Sequence, residues 1–223
     1  LSMAEQRIEF WVENETLRYR ARMGAFNPQL KSFVTEHKQE LIELLREKAG
    51  EPAVIAPLSY GQRSHWFLQQ LRPTSSAYNI AFGLLFHELC NKAALNAALQ
   101  QLVARHGALR TTYGLLSGEP IQCVVQIGSV TLHECANPKH DSETLRAEGA
   151  QFAAKPFDLS REQGFRAGLF EGAGGRQLLV LGIHHVGMDY WSLGILVEEL
   201  LVLYQRANAG NALELPIPTY DYI

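Results

Sequence analysis

Residues 179–196 read LVLGIHHVGMDYWSLGIL, with His184 and His185 side by side and Asp189 four residues after the second. These residue types allow three chemistries. Two imidazoles and a carboxylate could ligate a metal. One imidazole, with a pKa of about 6.5, could take a proton near neutral pH. Alternatively, both histidines could be satisfied core groups beside a helix-capping aspartate. The run QLLVLGIHH reads as a strand, and consecutive strand residues point to opposite faces. Adjacent histidines on a strand do not converge on one ion, whereas zinc ligands converge from one helical face or from several segments. The expectation is therefore no metal. One histidine facing a cavity and two structural histidines both remain open on spacing alone.

The elements that must position these residues can be read outward from them. WSLGILVEELLVLYQRAN makes a helix directly after the aspartate. Upstream, Ser59 caps a helix through GQRSHWFLQQL, AYNIAFGLLFHEL reads as a buried strand, and Asn91 caps KAALNAALQQLVARHG. LRTTY and PIQCVVQI read as strands around Ser117-Gly118, followed by a helix over 142–154 and a strand over 164–170. This alternation predicts an α/β sandwich, with helices covering a sheet.

Residues 1 to about 50 have another texture. FWVENETLRYRA reads as a hairpin, with Leu17, Tyr19 and Ala21 on one face and Arg18, Arg20 and Arg22 on the other. Asn27-Pro28 then opens one amphipathic helix through QLKSFVTEHKQELIELLREK, which Gly50-Glu51-Pro52 ends. The expected organisation is a small αβ module with its own core over 1–50, a linker over 51–56 and a second domain over 57–223.

A net charge of −3 gives no pull toward nucleic acid or an anionic membrane. No apolar run is long enough to span a bilayer or act as a leader. Cys90, Cys123 and Cys135 have neither C-x-x-C spacing nor an even count, so a reducing cytoplasm is the expected setting. The chain opens on Leu1-Ser2-Met3 and stops at Tyr220-Asp221-Tyr222-Ile223, which reads as a piece of something longer.

H-H-x-x-x-D-x-x-S at a strand-to-helix junction resembles the active-site motif of nonribosomal peptide synthetase condensation domains. LSYGQRSHWFLQQLRPTSSAYNI (58–80) is similar to that family's opening motif, S-x-x-Q-x-R-x-W-F-L-x-x-L-x-P-x-S-x-A-Y-N-I. RHGALRTTY (105–113), PFDL (156–159) before Arg166, and the trailing YDYI match further elements in the family's order. The resemblance covers about 54–223. It implies a chloramphenicol-acetyltransferase-like N-terminal lobe, about half of a two-lobed domain built around a tunnel. The implied reaction joins an acyl or peptidyl thioester on an upstream carrier to the amine of an aminoacyl thioester on a downstream carrier. Both arrive on phosphopantetheine arms, and no cofactor is bound directly.

By motif position, the resemblance implies that His185 is the catalytic base or the group that orients the amine. His184 is then its structural partner. Asp189 is expected to pair with Arg110, or failing that with Arg166, as a buried carboxylate needs a charge partner. Ser192 caps the helix or reaches the site. Gln62, Arg63, Trp66, Arg105 and His106 are expected to be mainly scaffold. Tyr190 stands where the family usually has glycine, adding bulk to the donor side of the tunnel. The aromatic-Trp-Ser run after the aspartate also resembles variants that follow a polyketide module. The histidines argue against the heterocyclising subtype, and Leu193 after the serine argues against the epimerising one. Peptide-bond formation is the expected chemistry, with half the domain inactive by itself.

Residues 8–47 resemble the tubulysin-type N-terminal docking domain, an αββα module whose pattern Trp11, Glu13, Leu17, Arg18, Tyr19, Arg20, Ala21, Gly24 and Pro28 match. The resemblance implies capture of the C-terminal tail of an upstream subunit along the hairpin, through Trp11, Arg18, Tyr19, Arg20 and Arg22. It also allows a homodimer, although only Leu1 to Gln6 remain for the module's first helix. Two other readings stay open: a free-standing acyltransferase using coenzyme A esters, and an interaction module with a degenerate catalytic lobe.

Overall fold

The computed structural model describes residues 8–47 and 52–216. The module's first helix at Leu1–Gln6 and the trailing YDYI lie outside the described residues. Strands β1 (Glu9–Glu13) and β2 (Thr16–Arg20) form the hairpin, with Trp11 opposite Arg18. Its turn places Asn14 and Glu15 at φ 46° and 62°. Left-handed geometry at both positions is what a two-residue hairpin turn requires.

Two helices follow where the sequence predicts one: α1 (Pro28–Glu36), capped by the Asn27 side chain on the Leu30 N–H at 2.8 Å, and α2 (Lys38–Glu47). The break falls at His37. A tertiary contact accompanies it, because the Ser117 hydroxyl sits 2.6 Å from His37 Nδ1 and the Ser117 N–H donates to Glu40 at 2.6 Å.

The expected linker is corrected over 53–56. Ala53–Pro57 is strand β3, which pairs with β1 on one side and with β6 (Glu119–Val125) on the other. Together with β5 (Thr111–Leu116) they form a five-stranded sheet of order β2-β1-β3-β6-β5. The module's separate core is corrected with it. Phe10, Leu30, Leu41 and Leu45 bury against Ile55, Leu116, Ile121 and Cys123 in one cluster. The expected boundary runs through a continuous sheet and a continuous core.

The second sheet has the order β4-β9-β8-β7, from β4 (Asn79–Phe86), β7 (Leu132–Ala136), β8 (Phe165–Glu171) and β9 (Gln177–His184). β7 runs parallel to β8, and β9 is antiparallel to both of its neighbours. The buried strand expected at β4 is instead the sheet's edge, and its exposure alternates along the chain. β9 is buried at every position, because both of its faces are covered. On one face, α4 (Lys92–Arg105) and α6 (Tyr190–Asn208) set Leu99, Leu102, Leu196 and Leu200 against Leu179, Leu181 and Ile183. On the other, α5 (Ser142–Ala153) lays Leu145 and Phe152 against Leu178 and Val180. Gly149 permits that approach, since a Cβ there would fall 2.7 Å from Val180 Cγ2. The result is an α/β sandwich with helices on both faces of its central strand, and β9 carries the paired histidines to its end.

Candidate active site

His184 is the last residue of β9 and is 1% exposed. Its Nδ1 accepts the Val186 N–H at 3.1 Å, so the ring proton sits on Nε2 and is donated to Gln69 Oε1 at 3.3 Å. The Gln69 amide in turn donates to the carbonyls of Pro73 and Phe157, each at 3.1 Å. Gln69 comes from α3 (Tyr60–Leu71), which opens with a reciprocal cap between Ser59 and Gln62. Burial pushes the His184 pKa down to about 4, and His65 and His185 add to the shift. Burying a polar group is tolerable only when its hydrogen bonds are made. Here both nitrogens are engaged and the ring is neutral.

His185 leaves the strand. Its N–H donates to the Tyr78 carbonyl at 2.9 Å, and its partly exposed ring stacks on His65 with centroids 4.6 Å apart and planes 18° from parallel. The next residue turns inward: Val186 buries with Leu58, Trp66, Tyr113 and Phe157. The turn is thus pinned on both sides of His185 while that ring keeps access to solvent. Such a group can exchange a proton or a hydrogen bond with a substrate, which His184 cannot.

The expected pairing of Asp189 with Arg110 is not formed. Asp189 is exposed at the N-cap of α6, where its Oδ1 accepts the Ser192 N–H at 2.8 Å and the Ser192 hydroxyl at 2.7 Å. Those two bonds hold its carboxyl below the usual carboxylate range, with the neighbouring His185 contributing. A helix N-terminus supplies the donors that a buried carboxylate would have sought from a cation. Ser192 therefore belongs to the cap. Arg110 ends a short 3₁₀ turn (Gly107–Arg110), and its Nη1 donates to the Val125 carbonyl. Arg166 is not the partner either. It lies 3.6 Å over the Phe157 ring, donates to the carbonyls of Lys155 and Pro156 at 2.9 and 3.1 Å, and meets Glu162 at 3.5 Å. It tethers the segment that floors His184. Tyr190 and Trp191 project outward, 82% and 83% exposed.

Two groups carry no mark in the family motifs, one at this site and one farther along α6. His65 lies on the helical stripe of Gln62, Trp66 and Gln69, so the 3.6-residue period held a signal for it. Glu199 joins α4 to α6: Arg105 Nε reaches both of its oxygens at 3.0 and 3.1 Å, and His106 Nε2 lies 2.6 Å from one of them. No local spacing marks a partner that far along the chain.

On the hairpin, Trp11, Arg18 and Arg20 share one face. Arg18 pairs with Glu13 at 3.1 Å, while Arg20 meets Glu9 at 3.4 Å and lies 5.7 Å over the Trp11 ring. Both cations, expected to meet a docking partner, each hold a glutamate of the hairpin itself. Tyr19 is on the opposite face, stacked on Phe26 at 4.2 Å. The strand ends at Arg20, which leaves Arg22 in the following loop, off the alternation expected for it. β2 is the outer strand of the five-stranded sheet.

Comparison with known proteins shows what the chain is similar to. Residues 53–223 match the Condensation domain model, and residues 2–47 match the TubC N-terminal docking domain. Chondramide synthase cmdD of Chondromyces crocatus is 34% identical over 179 residues, which covers 76% of this chain and 4% of that protein. The probable non-canonical nonribosomal peptide synthetase CymA of Salinispora arenicola is 32% identical over 205 residues, covering 88% of this chain and 3% of its own length. Among solved structures, the first condensation domain of the CDA synthetase superposes with a TM-score of 0.66 at 24% identity, over 73% of this chain and 43% of that one. The X-domain in complex with OxyB from teicoplanin biosynthesis does so with 0.67 at 27%, over 74% and 36%. The chain thus spans a few per cent of the curated relatives and under half of the solved chains.

Proposed function

The chain belongs to the condensation-domain family and carries a TubC-type docking domain ahead of that match, and on that premise we propose that it is the docking and N-terminal condensation part of a peptide synthetase subunit. The observation that carries this reading is His185: a partly exposed imidazole at the strand end, pinned by its neighbours, beside a buried neutral one. The reaction is amide-bond formation, an acyl transfer between two carrier-borne thioesters. The upstream carrier presents an acyl or peptidyl group and the downstream carrier an aminoacyl group, each on a phosphopantetheine arm. The aminoacyl ammonium sheds a proton, its nitrogen attacks the thioester carbonyl, and a C–N bond forms as the C–S bond breaks. The nitrogen gives up a second proton as the amide forms, and the departing thiolate takes it up. His185 accepts the ammonium proton or hydrogen-bonds the amine in line with the carbonyl; either role needs an imidazole held in position with access to the substrate. His184 stays neutral and braces the turn, while the Asp189–Ser192 cap fixes the start of α6.

Tyr190, at the open end of α6, shapes the donor side. The hairpin receives the C-terminal tail of an upstream subunit, as a strand added at β2 with Trp11, Tyr19 and the arginine row beside it. Arg18 and Arg20 trade their glutamates for acidic side chains of the tail. The setting is cytoplasmic; no helix among the described residues is long and apolar enough to cross a membrane. The solved domains extend well beyond the part matched here, so the chain alone is expected to turn over negligibly.

The test compares donors. A protein spanning the whole condensation domain is mixed with an aminoacyl downstream carrier and either an acyl upstream carrier or the same acyl group on coenzyme A. Intact mass of the downstream carrier reports the amide. Transfer from the carrier alone supports this reading; equal transfer from coenzyme A favours the free-standing acyltransferase instead.

A further inference from the structure

His65 touches the ring of His185 and has no part in the reaction as written. It rises from the same helical stripe of α3 that supplies Gln69, so the helix bracing His184 also reaches its neighbour. The two rings lie nearly parallel at 4.6 Å, and His65 also meets Tyr78 edge-on at 5.1 Å and 70°. The Tyr78 carbonyl in turn accepts the His185 N–H. Residue 185 is thus gripped twice, its backbone by a hydrogen bond and its ring by a stack backed by a second ring.

The Nδ1 of His65 is buried without a hydrogen-bond partner among the described residues. A protonated imidazole carries two N–H donors, and a buried donor left unmade is costly, so the neutral form is favoured. Burial first, and the nearby His185 second, hold the affinity of His65 for a proton below the ordinary value. His184, itself neutral, is the other titratable group coupled to His65, while Asp189 acts on His185. Arg63 on the same helix is engaged by Glu119 at 3.4 Å.

We propose that His65 is a positioning residue, whose flat neutral ring stacks on His185 and fixes the plane in which that imidazole meets the attacking amine. This rests on the reading of His185 given above. An aliphatic side chain would fill the space but leave the ring free to rotate; a second flat ring would not.

Single-turnover transfer in a protein spanning the whole domain tests it, with melting temperatures measured alongside. His65→Ala should lower the rate at saturating acceptor by roughly threefold to tenfold, the scale of one aromatic pair, with the acceptor concentration dependence unchanged. His65→Phe should return it to within about twofold of native on that same scale. An unchanged rate in His65→Ala, or a phenylalanine no better than alanine, overturns the proposal. Nitrogen-15 histidine spectra of the native protein supply a readout apart from activity: His65 should keep neutral-ring shifts through the pH range in which transfer rises. A charged His65 there would contradict it. His185→Ala separates the layers, because full activity in that variant removes the reading of His185 and this inference with it, whereas its loss beside a normal His65→Ala rate removes this inference alone.

Discussion

The hairpin at Glu9–Arg20 and the turn at His184–Asp189 both present polar groups at the margin of a sheet, and they hold them by opposite means. On the hairpin, Arg18 and Arg20 lie in solvent beside Glu13 and Glu9, in ion pairs that water and salt weaken. At the turn, His184 is sealed among Gln69, Phe157 and the Val186 backbone with every nitrogen used. Exposed pairs are easily exchanged for a partner's side chains, which suits a surface that must dock and release. A sealed neutral network resists exchange and keeps geometry, which suits a place where a neighbouring imidazole must meet a substrate in one orientation. One continuous sheet and core nevertheless join the hairpin to the lobe that holds the turn.

The contrast can be broken most sharply at His184. Its folded pKa of about 4 lies below the ordinary histidine value of about 6.5, so at pH between the two the unfolded chain binds a proton that the native chain refuses. The stability this contributes is complete above about pH 6.5 and is lost as pH falls toward 4. Between pH 7 and pH 5 the loss should be about 2 kcal/mol by that linkage. Denaturant unfolding at the two pH values should show it, and His184→Gln should remove that share of the dependence. Replacing Gln69 by leucine should cost a similar or slightly smaller amount, about 1–3 kcal/mol, since it strands the His184 N–H and the Phe157 carbonyl. Asp189→Ala removes a helix cap and should cost about 1 kcal/mol. If it destabilised far more, the exposed-cap description would fail.

The hairpin should respond more weakly. Glu15 sits at φ 62°, so Glu15→Gly should raise stability by about 0.5–1 kcal/mol through relief of left-handed backbone strain. Arg20→Ala should change stability by under about 1 kcal/mol at low salt and by less at high salt. A large, salt-insensitive cost at Arg20 would erase the distinction between the two regions.

Much of this is legible in the sequence because local rules suffice where local forces decide. The hairpin, the helix caps at Asn27, Ser59 and Asn91, and the strand ending in paired histidines follow from spacing and turn chemistry. Adjacent strand residues point to opposite faces, which says that His184 and His185 differ, while the resemblance to the family motif says which of them is expected to meet substrate. Elsewhere non-local forces decide. β3 is hidden because Ala53-Val54-Ile55-Ala56 is a short apolar run just after Gly50-Glu51-Pro52, and only β1 and β6 on either side make it a strand. The helix break at His37 is accompanied by a contact with Ser117, eighty residues away. A buried Asp189 would need a cation. Exposure at a helix N-terminus removes that need, and no spacing rule reports exposure.

The central claim is that the adjacent histidines divide the work, His185 meeting the substrate and His184 bracing the turn. The most direct test is single-turnover transfer by His185→Ala in a protein spanning the whole condensation domain, normalised to folded protein and followed by mass on the downstream carrier. The predicted result is a loss of about 10²- to 10⁴-fold, the usual scale for a positioned acid–base group, with the melting temperature near native. Transfer within a few-fold of native would contradict the account and leave His185 as scaffold like its neighbour.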